Sequence, residues 1–463
     1  MKKLLLYFLL ISSFGMKAQW TTQATGFTNV SEGVENISII DANTVWVLGY
    51  DGSSTTPANF QEYALTLNGG TTWTHGTINI GNTALEINNI CPVSASTAWV
   101  SAVSPTAGMG GVWKTTDGGS SWIQQNAAAY IDVASFMNTV YFFNSTTGIT
   151  SGDPITGATD FEVYRTTDGG STWSPITTTM PNITSGEYGY NGGNVSAGGN
   201  TFWFVTSKGK MYRTSDLGAT WTKLNGPTGL LDFGGVSTTT SAGQLFFSDV
   251  ISGVAGTNYG ICIARAGAIT APTYKLHKTT DGGTTWTAGV AYTQPYNSLA
   301  FIKGTTVLVG TGYTTVGTTT TYYSGFSTDY GTTWTQIDSG VQRTGIAFLN
   351  STTGWAGGFT TSSTVGGIYK YTGPSLANSS FYIPKQSITA TPNPTTGILK
   401  LTSNTVNISD VIVFDLLGKQ VCNSKFNALN DVLIDLSALQ SGAYFVNVTS
   451  DNGITETKKI MKL

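Results

Sequence analysis

The sequence predicts an all-β protein, a seven-bladed β-propeller followed by a small C-terminal β-sandwich. Three observations predict this fold class. A short motif recurs six times at a near-constant period, apolar and aromatic runs alternate with turn residues, and the pattern changes after residue 373. With 57 Gly and only 10% charged residues, but 40% hydrophobic ones, the chain suits short strands joined by tight turns.

The recurring motif reads KTTDGGTTW at residues 278–286, and its general form is Ser/Thr-x-Asp/Asn-x-Gly-x-x-Trp. Successive tryptophans lie 49, 51, 48, 65 and 48 residues apart. One catalytic centre is not needed six times, so the repetition predicts a structural role. The acid or amide and the tryptophan of the six copies are Asn68 and Trp73, Asp117 and Trp122, Asp168 and Trp173, Asp216 and Trp221, Asp281 and Trp286, and Asp329 and Trp334.

The chemistry of the motif is that of a turn. The carboxylate and the Ser/Thr hydroxyl can accept hydrogen bonds from backbone N–H groups within the turn. The second glycine allows a positive φ, and the tryptophan can then bury a large apolar ring against the adjoining sheet. The motif therefore predicts a hairpin that is closed by its own polar groups.

On these residues the motif resembles the Asp-box, or BNR repeat, of sialidases, sortilin-type receptors and photosystem-assembly-factor-like propellers. The resemblance implies a hairpin between the third and fourth strands of each blade, away from the ligand-binding face. Gly152-Asp153-Pro154 leading into Phe161 to Asp168 resembles a blade of the photosystem-assembly-factor-like group in particular. The propeller is expected to span residues 20–373.

Ring closure is predicted to use the N-terminus. Each period supplies four strands, and such sheets bury both faces only when they are stacked radially. A seventh unit at residues 343–373 has three strands and no motif, whereas Trp20-Thr-Thr-Gln is similar to the start of a fourth strand at Trp334. We therefore expect residues from Trp20 onward to form the outer strand of the last blade.

The connections between the second and third strands vary most, and variable loops on a rigid scaffold often carry binding. We expect them to gather on one surface, opposite the motifs, which we call the loop face. They are predicted at residues 49–63, 101–113, 151–164, 206–212 and 248–277, and the last of these would explain the 65-residue spacing.

The first 19 residues have the pattern of a secretory signal peptide: two lysines, an apolar run and then Ala18-Gln19. The three cysteines are far apart and odd in number, which predicts single buried thiols rather than a disulfide framework. A net charge of −3 argues against nucleic acid as the main partner. The composition predicts an exported protein without a transmembrane segment.

The tail after the linker at residues 374–387 forms a separate module at residues 388–463, with alternating strands suited to a small β-sandwich. It resembles the type A C-terminal sorting domain of type IX secretion cargo. The matching residues are Pro392-Asn393-Pro394 with Gly397, Asp415 to Lys419, Leu436 to Tyr444, and the terminal Lys458 to Lys462. The resemblance implies Sec export, passage through the type IX secretion machinery, and then release or attachment to surface lipopolysaccharide.

Sialidase activity is disfavoured because it requires three arginines that together bind one carboxylate of the substrate. The chain has four, and Arg165 and Arg213 precede motifs, at scaffold positions, which leaves Arg265 and Arg343. Other glycoside hydrolysis needs two facing carboxylates. The loop-face candidates are Asp51, Asp153, Asp160, Glu187, Asp232 and Asp249, of which Asp153, Asp249, Glu187 and Asp232 are the weak catalytic candidates.

No cofactor or metal site is expected, because His75 and His277 adjoin motifs and no zinc or calcium spacing occurs. Tyr188, Tyr190, Tyr313, Tyr322 and Tyr323 could stack on sugar rings or serve as ordinary packing. The sequence therefore favours a secreted or surface-attached, non-catalytic module that binds a glycan or a protein through the loop face. A glycoside hydrolase and a receptor-like adhesin are the alternatives.

Overall fold

A computed structural model describes residues 19–53, 59–104, 110–125, 130, 132, 135–190, 195–233, 242–247, 259–266, 273–302, 304–376, 388–403, 407–416, 418–450 and 455–463. The chain divides into two compact units, with the division between residues 378 and 379. All regular structure in the described residues is β-strand. The predicted all-β class is confirmed.

Within the described residues, 28 strands of the first unit build seven blades of four antiparallel strands each. The first strand, β1 (Trp20–Ala24), belongs to the last blade. Blade 1 comprises β2 (Glu32–Ile39), β3 (Val45–Asp51), β4 (Glu62–Thr66) and β5 (Thr74–Thr77); blade 2 comprises β6 (Glu86–Pro92), β7 (Ala98–Val103), β8 (Gly111–Thr115) and β9 (Ile123–Gln124); blade 3 comprises β10 (Met137–Phe142), β11 (Gly148–Gly152), β12 (Glu162–Thr166) and β13 (Ser174–Pro175).

The remaining blades repeat this order, with the first strand of each innermost. Blade 4 comprises β14 (Val195–Gly198), β15 (Thr201–Val205), β16 (Lys210–Thr214) and β17 (Thr222–Asn225); blade 5 comprises β18 (Ala242–Phe247), β19 (Gly260–Ala266), β20 (Thr273–Thr279) and β21 (Val290–Ala291). Blade 6 comprises β22 (Tyr296–Phe301), β23 (Leu308–Val316), β24 (Thr319–Ser327) and β25 (Thr335–Ser339); blade 7 comprises β26 (Ile346–Asn350), β27 (Thr353–Ser362), β28 (Val365–Tyr371) and β1.

The N-terminal closure is confirmed. Strand β1 pairs antiparallel with β28 in the register Trp20 to Tyr371, and Thr372 N donates to Gln19 O at 2.9 Å. The Trp20 ring is buried, and it packs edge-on against Phe348 and Tyr371. Pairing with a strand from the other end of the chain satisfies the backbone groups of β28 that would otherwise be unpaired, and it joins the first and last parts of the propeller.

The 65-residue spacing has a different origin from the one predicted. Residues Gly260–Ala266 form β19, the second strand of blade 5, so 248–277 is not one connection. The interval from the end of β18 to the start of β19 holds 12 residues, 248–259, and of the predicted connection, residues 248–258 and 267–272 lie outside the described residues. The prediction failed because the short apolar run GICIARA is flanked on both sides by Gly- and Thr-rich sequence, which hid a buried strand.

Each box motif connects the third and fourth strands of its blade. In blade 2, Thr115 Oγ1 donates to Asp117 Oδ1 and accepts from Gly119 N, both at 2.8 Å. Ser121 donates through its backbone N and its Oγ to the two carboxylate oxygens, at 3.0 and 2.5 Å. Gly119 has a φ of 92°, which an L side chain rarely adopts. The turn is therefore closed by bonds within the motif itself.

The boxes are also linked around the ring. A side chain on the third strand of one blade donates to the backbone carbonyl that follows the box Asp or Asn in the next blade. These donors and carbonyls are Tyr63 to Gly118 (2.8 Å), Lys114 to Gly169 (3.0 Å), Arg165 to Leu217 (2.8 Å), Arg213 to Gly282 (3.2 Å) and Lys370 to Gly69 (2.7 Å). This explains why a basic residue recurs before the motif.

The apolar core lies mainly between neighbouring blades. Trp46 and Tyr63 of blade 1 cluster with Val100 and Trp122 of blade 2, and the rings of Tyr63 and Trp122 meet edge-on. Packing of this kind buries sheet faces that one blade alone would leave exposed. The box tryptophans thus help to join each blade to the one before it.

The second unit contains two sheets. Its strands are β29 (Ile388–Thr391), β30 (Ile398–Ser403), β31 (Ile408–Phe414), β32 (Gln420–Leu429), β33 (Asp431–Asp435), β34 (Gly442–Ser450) and β35 (Thr455–Lys462). One sheet has the order β29-β30-β33 and the other β32-β31-β34-β35. Alternate residues such as Leu399, Val411 and Val446 are buried in a shared core, which is the pattern of a β-sandwich.

Candidate functional site

The innermost strands of four blades begin with a β-bulge that carries a polar residue. The pairing of the first and second strands shifts register at Glu35 in blade 1 and at Asn88, Asn138 and Asn297 in blades 2, 3 and 6. Bulges often re-aim a side chain next to a functional site. The common signal is a polar pair just before an apolar run, as in Asn88-Asn89, and an inner strand predicted only from its apolar run does not include this pair.

A first depression on the loop face, which we call the acidic cleft, has a volume of about 490 Å³. It combines ends of strands from blades 1 and 2 with Thr344, which precedes β26. Its lining residues are Glu35, Gly49, Tyr50, Asp51, Asn59, Phe60, Glu86, Ile87 and Thr344. Of these, only Asp51 was a candidate from the sequence.

Two glutamates give the acidic cleft its electrostatics. Burial raises the pKa of Glu35 to about 7, and the nearby charge of Glu86 adds to the effect. Burial, together with the charge of Glu35, also raises the pKa of Tyr50 to about 12. The Glu35 side chain is also exposed to solvent, so its raised pKa favours a carboxyl that can hold a proton near neutral pH and pass it to a ligand.

A second depression, the tyrosine cleft, has a volume of about 500 Å³ and lies between blades 6 and 7. Its wall is the end of the β23–β24 hairpin, and its lining residues are Asn297, Ser298, Gly312, Tyr313, Thr320, Tyr322, Gln342, Arg343 and Thr344. Tyr313 and Tyr322 are cross-strand neighbours on the hairpin, and their rings are tilted by 59° with centroids 6.1 Å apart. Both clefts include Thr344, so they meet there.

The sequence candidates Asp153 and Glu187 hold parts of the scaffold together. Asp153 Oδ1 accepts from Asn138 Nδ2 at 2.9 Å and from Gly189 N at 2.8 Å, while burial raises the pKa of Asp153. Glu187 is buried and accepts from Lys223 Nζ at 2.7 Å and Thr206 Oγ1 at 2.6 Å.

The pKa of Glu187 is set by two opposing effects. Burial by itself would raise the pKa, but bonds from Lys223, Thr206 and the Thr184 backbone outweigh it and hold the pKa below its usual value. Glu187 is therefore an ionised acceptor at neutral pH and has no proton to give. It lines a third depression of about 500 Å³, formed by residues 154–159 and 182–187.

The other acidic candidates occupy separate places. Asp232 Oδ1 accepts a hydrogen bond from Tyr190 OH, and Asp51 accepts from Ser53 N at 2.8 Å. Burial raises the pKa of Asp160. Asp249 lies outside the described residues. The described candidates thus fall in several blades, and among them only Asp51 lines a cleft together with other carboxylates of the described residues.

The box residues lie away from both clefts. In blade 6 the tyrosine cleft is at the β23–β24 hairpin, whereas Asp329 follows the opposite end of β24. Thr333 donates to Asp329 Oδ1 through its backbone N at 2.8 Å and to Oδ2 through its hydroxyl at 2.7 Å. We propose a structural role for the whole set: Asn68, Trp73, Asp117, Trp122, Asp168, Trp173, Asp216, Trp221, Asp281, Trp286, Asp329 and Trp334.

The two histidines contact neighbouring groups of their own blades, and the cysteines form no disulfide among the described residues. His75 Nε2 lies 2.6 Å from Glu62 Oε2, and His277 Nδ1 lies 3.1 Å from Thr287 O. The three cysteines are free thiols, and burial raises the pKa of Cys91 to about 11. Among the described residues, no three His, Cys, Asp or Glu side chains come together as a metal site.

Comparison with known proteins supports both parts of the architecture. Residues 390–462 match the family model described as the secretion system C-terminal sorting domain. The search of curated proteins gave no match. The structure described as YCF48 bound to D1 peptide is 16% identical, with a TM-score of 0.50, and the alignment covers 78% of this chain and 98% of that one.

Two further solved structures are similar at lower scores. YCF48 from Cyanidioschyzon merolae is 16% identical over 77% of this chain and 99% of its own, with a TM-score of 0.49. The GH74 xyloglucanase from Xanthomonas campestris is 15% identical over 94% of this chain and 71% of its own, with a TM-score of 0.30. At 16% identity, the likeness to the structure described as YCF48 bound to D1 peptide concerns the fold alone.

The sorting tail determines where the protein goes. A C-terminal domain of this kind is recognised by the type IX secretion machinery, and it marks the protein for export to the cell surface or the medium. In the part of the chain that the structure describes, no helix has the length and apolarity of a membrane span. The chain is thus an exported β-propeller that carries a type IX sorting domain at its C-terminus.

Proposed function

We propose that this exported propeller is a non-catalytic binding module that captures a glycan or protein ligand on its loop face. The observation that carries the proposal is the shared wall residue Thr344, through which the acidic and tyrosine clefts meet. We refer to the two clefts together as the groove, and its lining residues come from blades 6, 7, 1 and 2. A groove of this extent suits an extended ligand better than a compact one.

The composition of the groove suits recognition. Each cleft has the volume of an ordinary small-ligand site. Tyr50 and Phe60 lie at one end and Tyr313 and Tyr322 at the other, so flat aromatic surfaces are available at both ends. Aromatic side chains offer large contact area with little conformational entropy to lose, which favours their use as anchors.

The bonding of the sequence candidates favours binding over catalysis. Asp153 and Glu187 accept hydrogen bonds from the backbone and side chains of neighbouring strands and loops. Asp232 accepts from Tyr190. Carboxylates used in this way fix the loops, and a rigid loop face loses less entropy when a ligand binds.

The proposal is tested by blocking the groove. Thr320 lies on the face of the β23–β24 hairpin that lines the tyrosine cleft, and Thr321 lies on the other face. We expect Thr320→Trp to weaken binding of the mature protein to its ligands on a panel of neutral polysaccharides, acidic polysaccharides and unfolded casein. Thr321→Trp is the matched control and should bind as the natural chain does.

Two results would contradict the proposal. One is the absence of binding to every member of the panel by the natural chain. The other is binding that Thr320→Trp and Thr321→Trp leave equally intact, because the ligand would then lie elsewhere. Thermal unfolding of both variants checks that the propeller still folds.

Glycoside hydrolysis is the second candidate, and the acidic cleft favours it specifically. Glu35 has a pKa near 7, so it could serve as a general acid, and Glu86 lines the same cleft as a second carboxylate. In that case Glu35→Gln abolishes release of reducing ends from a polysaccharide while thermal unfolding stays intact. If the natural chain releases no reducing ends from any polysaccharide of the panel, the hydrolase candidate fails and the binding proposal stands.

A further inference from the structure

We propose that the tyrosine cleft is a subsite for one neutral sugar residue of a glycan, held on the face of the β23–β24 hairpin by Tyr313 and Tyr322. This inference rests on the proposed function and assigns a ligand class to one end of the groove. It requires that the hairpin projects, that its exposed face is aromatic, and that the cleft offers no usable charge.

The hairpin projects beyond the rest of blade 6. The pairing of β22 with β23 stops at Gly312, and the pairing of β24 with β25 stops at Tyr323, whereas β23 and β24 pair with each other as far as Val316 and Thr319. Residues 313–316 and 319–322 therefore form a two-stranded ribbon outside the four-stranded sheet.

One face of this ribbon carries the candidate contacts. Tyr313 stands directly opposite Tyr322, and Thr315 stands opposite Thr320, so these four side chains share a face. The hydroxyls of Thr315 and Thr320 are 3.1 Å apart. Tyr313 is 53% exposed, which is unusual for a large aromatic side chain on a blade strand and leaves its ring available to a ligand.

The floor of the cleft adds neutral hydrogen-bonding groups. Asn297, Ser298 and Gln342 supply amides and a hydroxyl, which can each donate and accept. A sugar ring presents apolar C–H groups on its faces and hydroxyls around its edge. Aromatic rings beside amides and hydroxyls are complementary to that pattern.

Charge narrows the ligand class further. Arg343 is the one charged residue among the described residues that line the cleft, and only 2% of its side chain is exposed. Its two Nη atoms donate to the carboxylate of Asp338 at 2.8 and 2.6 Å. The cation is thus neutralised and covered, so the cleft has no free charge for an acidic sugar or a basic peptide. A neutral sugar residue can bind in such a cleft, because it needs no charged partner.

The ribbon could instead add a strand from a partner protein, because its outer backbone groups extend beyond the pairing of β22 and β25. Strand addition would use the edges of the ribbon and would not depend on the side chains of its faces. Truncation of the two tyrosines therefore separates the two modes of binding.

The experiment measures binding of the full mature chain to immobilised neutral polysaccharides (a β-glucan, a mannan and a xylan), to the acidic polymers alginate and polygalacturonate, and to unfolded casein. The variants are Tyr313→Ala and Tyr322→Ala. Tyr274→Ala is the matched control, since Tyr274 is an exposed tyrosine on β20 in blade 5. Thermal unfolding is followed for each variant.

We expect at least one neutral polysaccharide to bind, and each cleft variant to weaken that binding about tenfold or more, as for loss of an aromatic anchor. Tyr274→Ala should bind as the natural chain does. Preference for the acidic polymers, failure of all neutral polysaccharides, or neutral binding that survives both truncations would each overturn the inference. Casein binding that both truncations leave unchanged would also overturn it, in favour of strand addition, while leaving the binding function proposed above intact.

Discussion

The guanidinium of Arg343 lies over the indole ring of Trp20, with its central carbon 5.0 Å from the ring centroid. Arg343 also pairs with Asp338 of blade 6, and Trp20 Nε1 donates to Ser324 Oγ at 3.1 Å. Ser324 Oγ in turn donates to Asp338 Oδ1. The first strand of the propeller is therefore tied by one polar network to blade 6 as well as to its own blade.

Trp20→Ala should destabilise the propeller by about 3–5 kcal/mol, the usual cost of removing a large buried aromatic side chain. It removes the ring that packs on Phe348 and Tyr371 and the donor to Ser324. Chemical denaturation of the mature chain measures the change. Thr22→Ala, at an exposed position of the same strand, should alter the free energy of unfolding by less than about 0.5 kcal/mol.

Deletion of residues 20–27 should lower the melting temperature further than Trp20→Ala, because blade 7 would lose its fourth strand. If the deleted chain melts at the temperature of the natural chain, ring closure by β1 does not contribute to stability.

Arg165→Ala should destabilise the junction between blades 3 and 4. Arg165 Nε donates to Leu217 O at 2.8 Å, and the loss of a charged donor to a partly buried carbonyl costs about 1–2 kcal/mol. Denaturant unfolding checks this, with Lys210→Ala as control, since Lys210 bonds only within blade 4 among the described contacts. Equal effects of the two substitutions would argue against a special role for links between boxes.

The box aspartates predict a loss of stability in acid. The Ser121 hydroxyl, with other bonds in the turn, lowers the pKa of Asp117 to about 2, and the Thr172 hydroxyl does the same for Asp168. A lowered pKa in the folded state means that the stabilisation is complete above about pH 4, where the unfolded chain is also ionised, and is lost as the pH falls towards 2.

The measurement is the melting temperature between pH 5 and pH 2 for the natural chain and for Asp168→Asn. The substitution should flatten this dependence, since an amide does not titrate. Asn68 already closes a box, with its Oδ1 accepting from Thr72 N at 2.9 Å, so the variant should keep its fold at neutral pH. An unchanged slope in acid would show that the box carboxylates are not the groups that titrate.

The raised pKa of Glu35 predicts the opposite dependence of stability on pH. Its pKa is raised from 4.5 to about 7, so the folded state holds a proton that the unfolded chain releases, and stability falls as the pH rises from about 4.5 to 7. Glu35→Gln should therefore be more stable than the natural chain at pH 8 and nearly equal to it at pH 4. Because the Glu35 side chain is exposed and solvent screens its interactions, the gain at pH 8 should stay below about 1 kcal/mol.

Glu86→Gln serves as the control, because Glu86 contributes to the raised pKa of Glu35. Removing the charge of Glu86 should lower the pKa of Glu35 and move the transition to lower pH. Denaturation curves at pH 4, 6 and 8 distinguish these outcomes. A Glu35→Gln variant that gains nothing at pH 8 would mean that solvent around the exposed Glu35 side chain offsets the desolvation that raises its pKa.

Much of the fold followed from local patterns. The spacing of the tryptophans predicted six blades, and the similarity of Trp20 to Trp334 predicted the strand that completes the seventh. The prediction of a single connection at residues 248–277 was wrong, because strand β19 lies within that range and is flanked by Gly- and Thr-rich sequence. The acidic cleft was largely missed, since Glu35 and Glu86 come from different blades and no sequence spacing places them side by side.

The box turns were determined by the sequence alone, because each forms from hydrogen bonds among residues at most four positions apart, such as Thr115, Asp117 and Ser121. Tertiary structure alone decided which side chains meet across the ring. Trp20 and Ser324 are 304 positions apart, and Thr344 lines two clefts that are built from residues of four blades. Such contacts depend on ring closure, because only the closed ring brings together residues from different repeats.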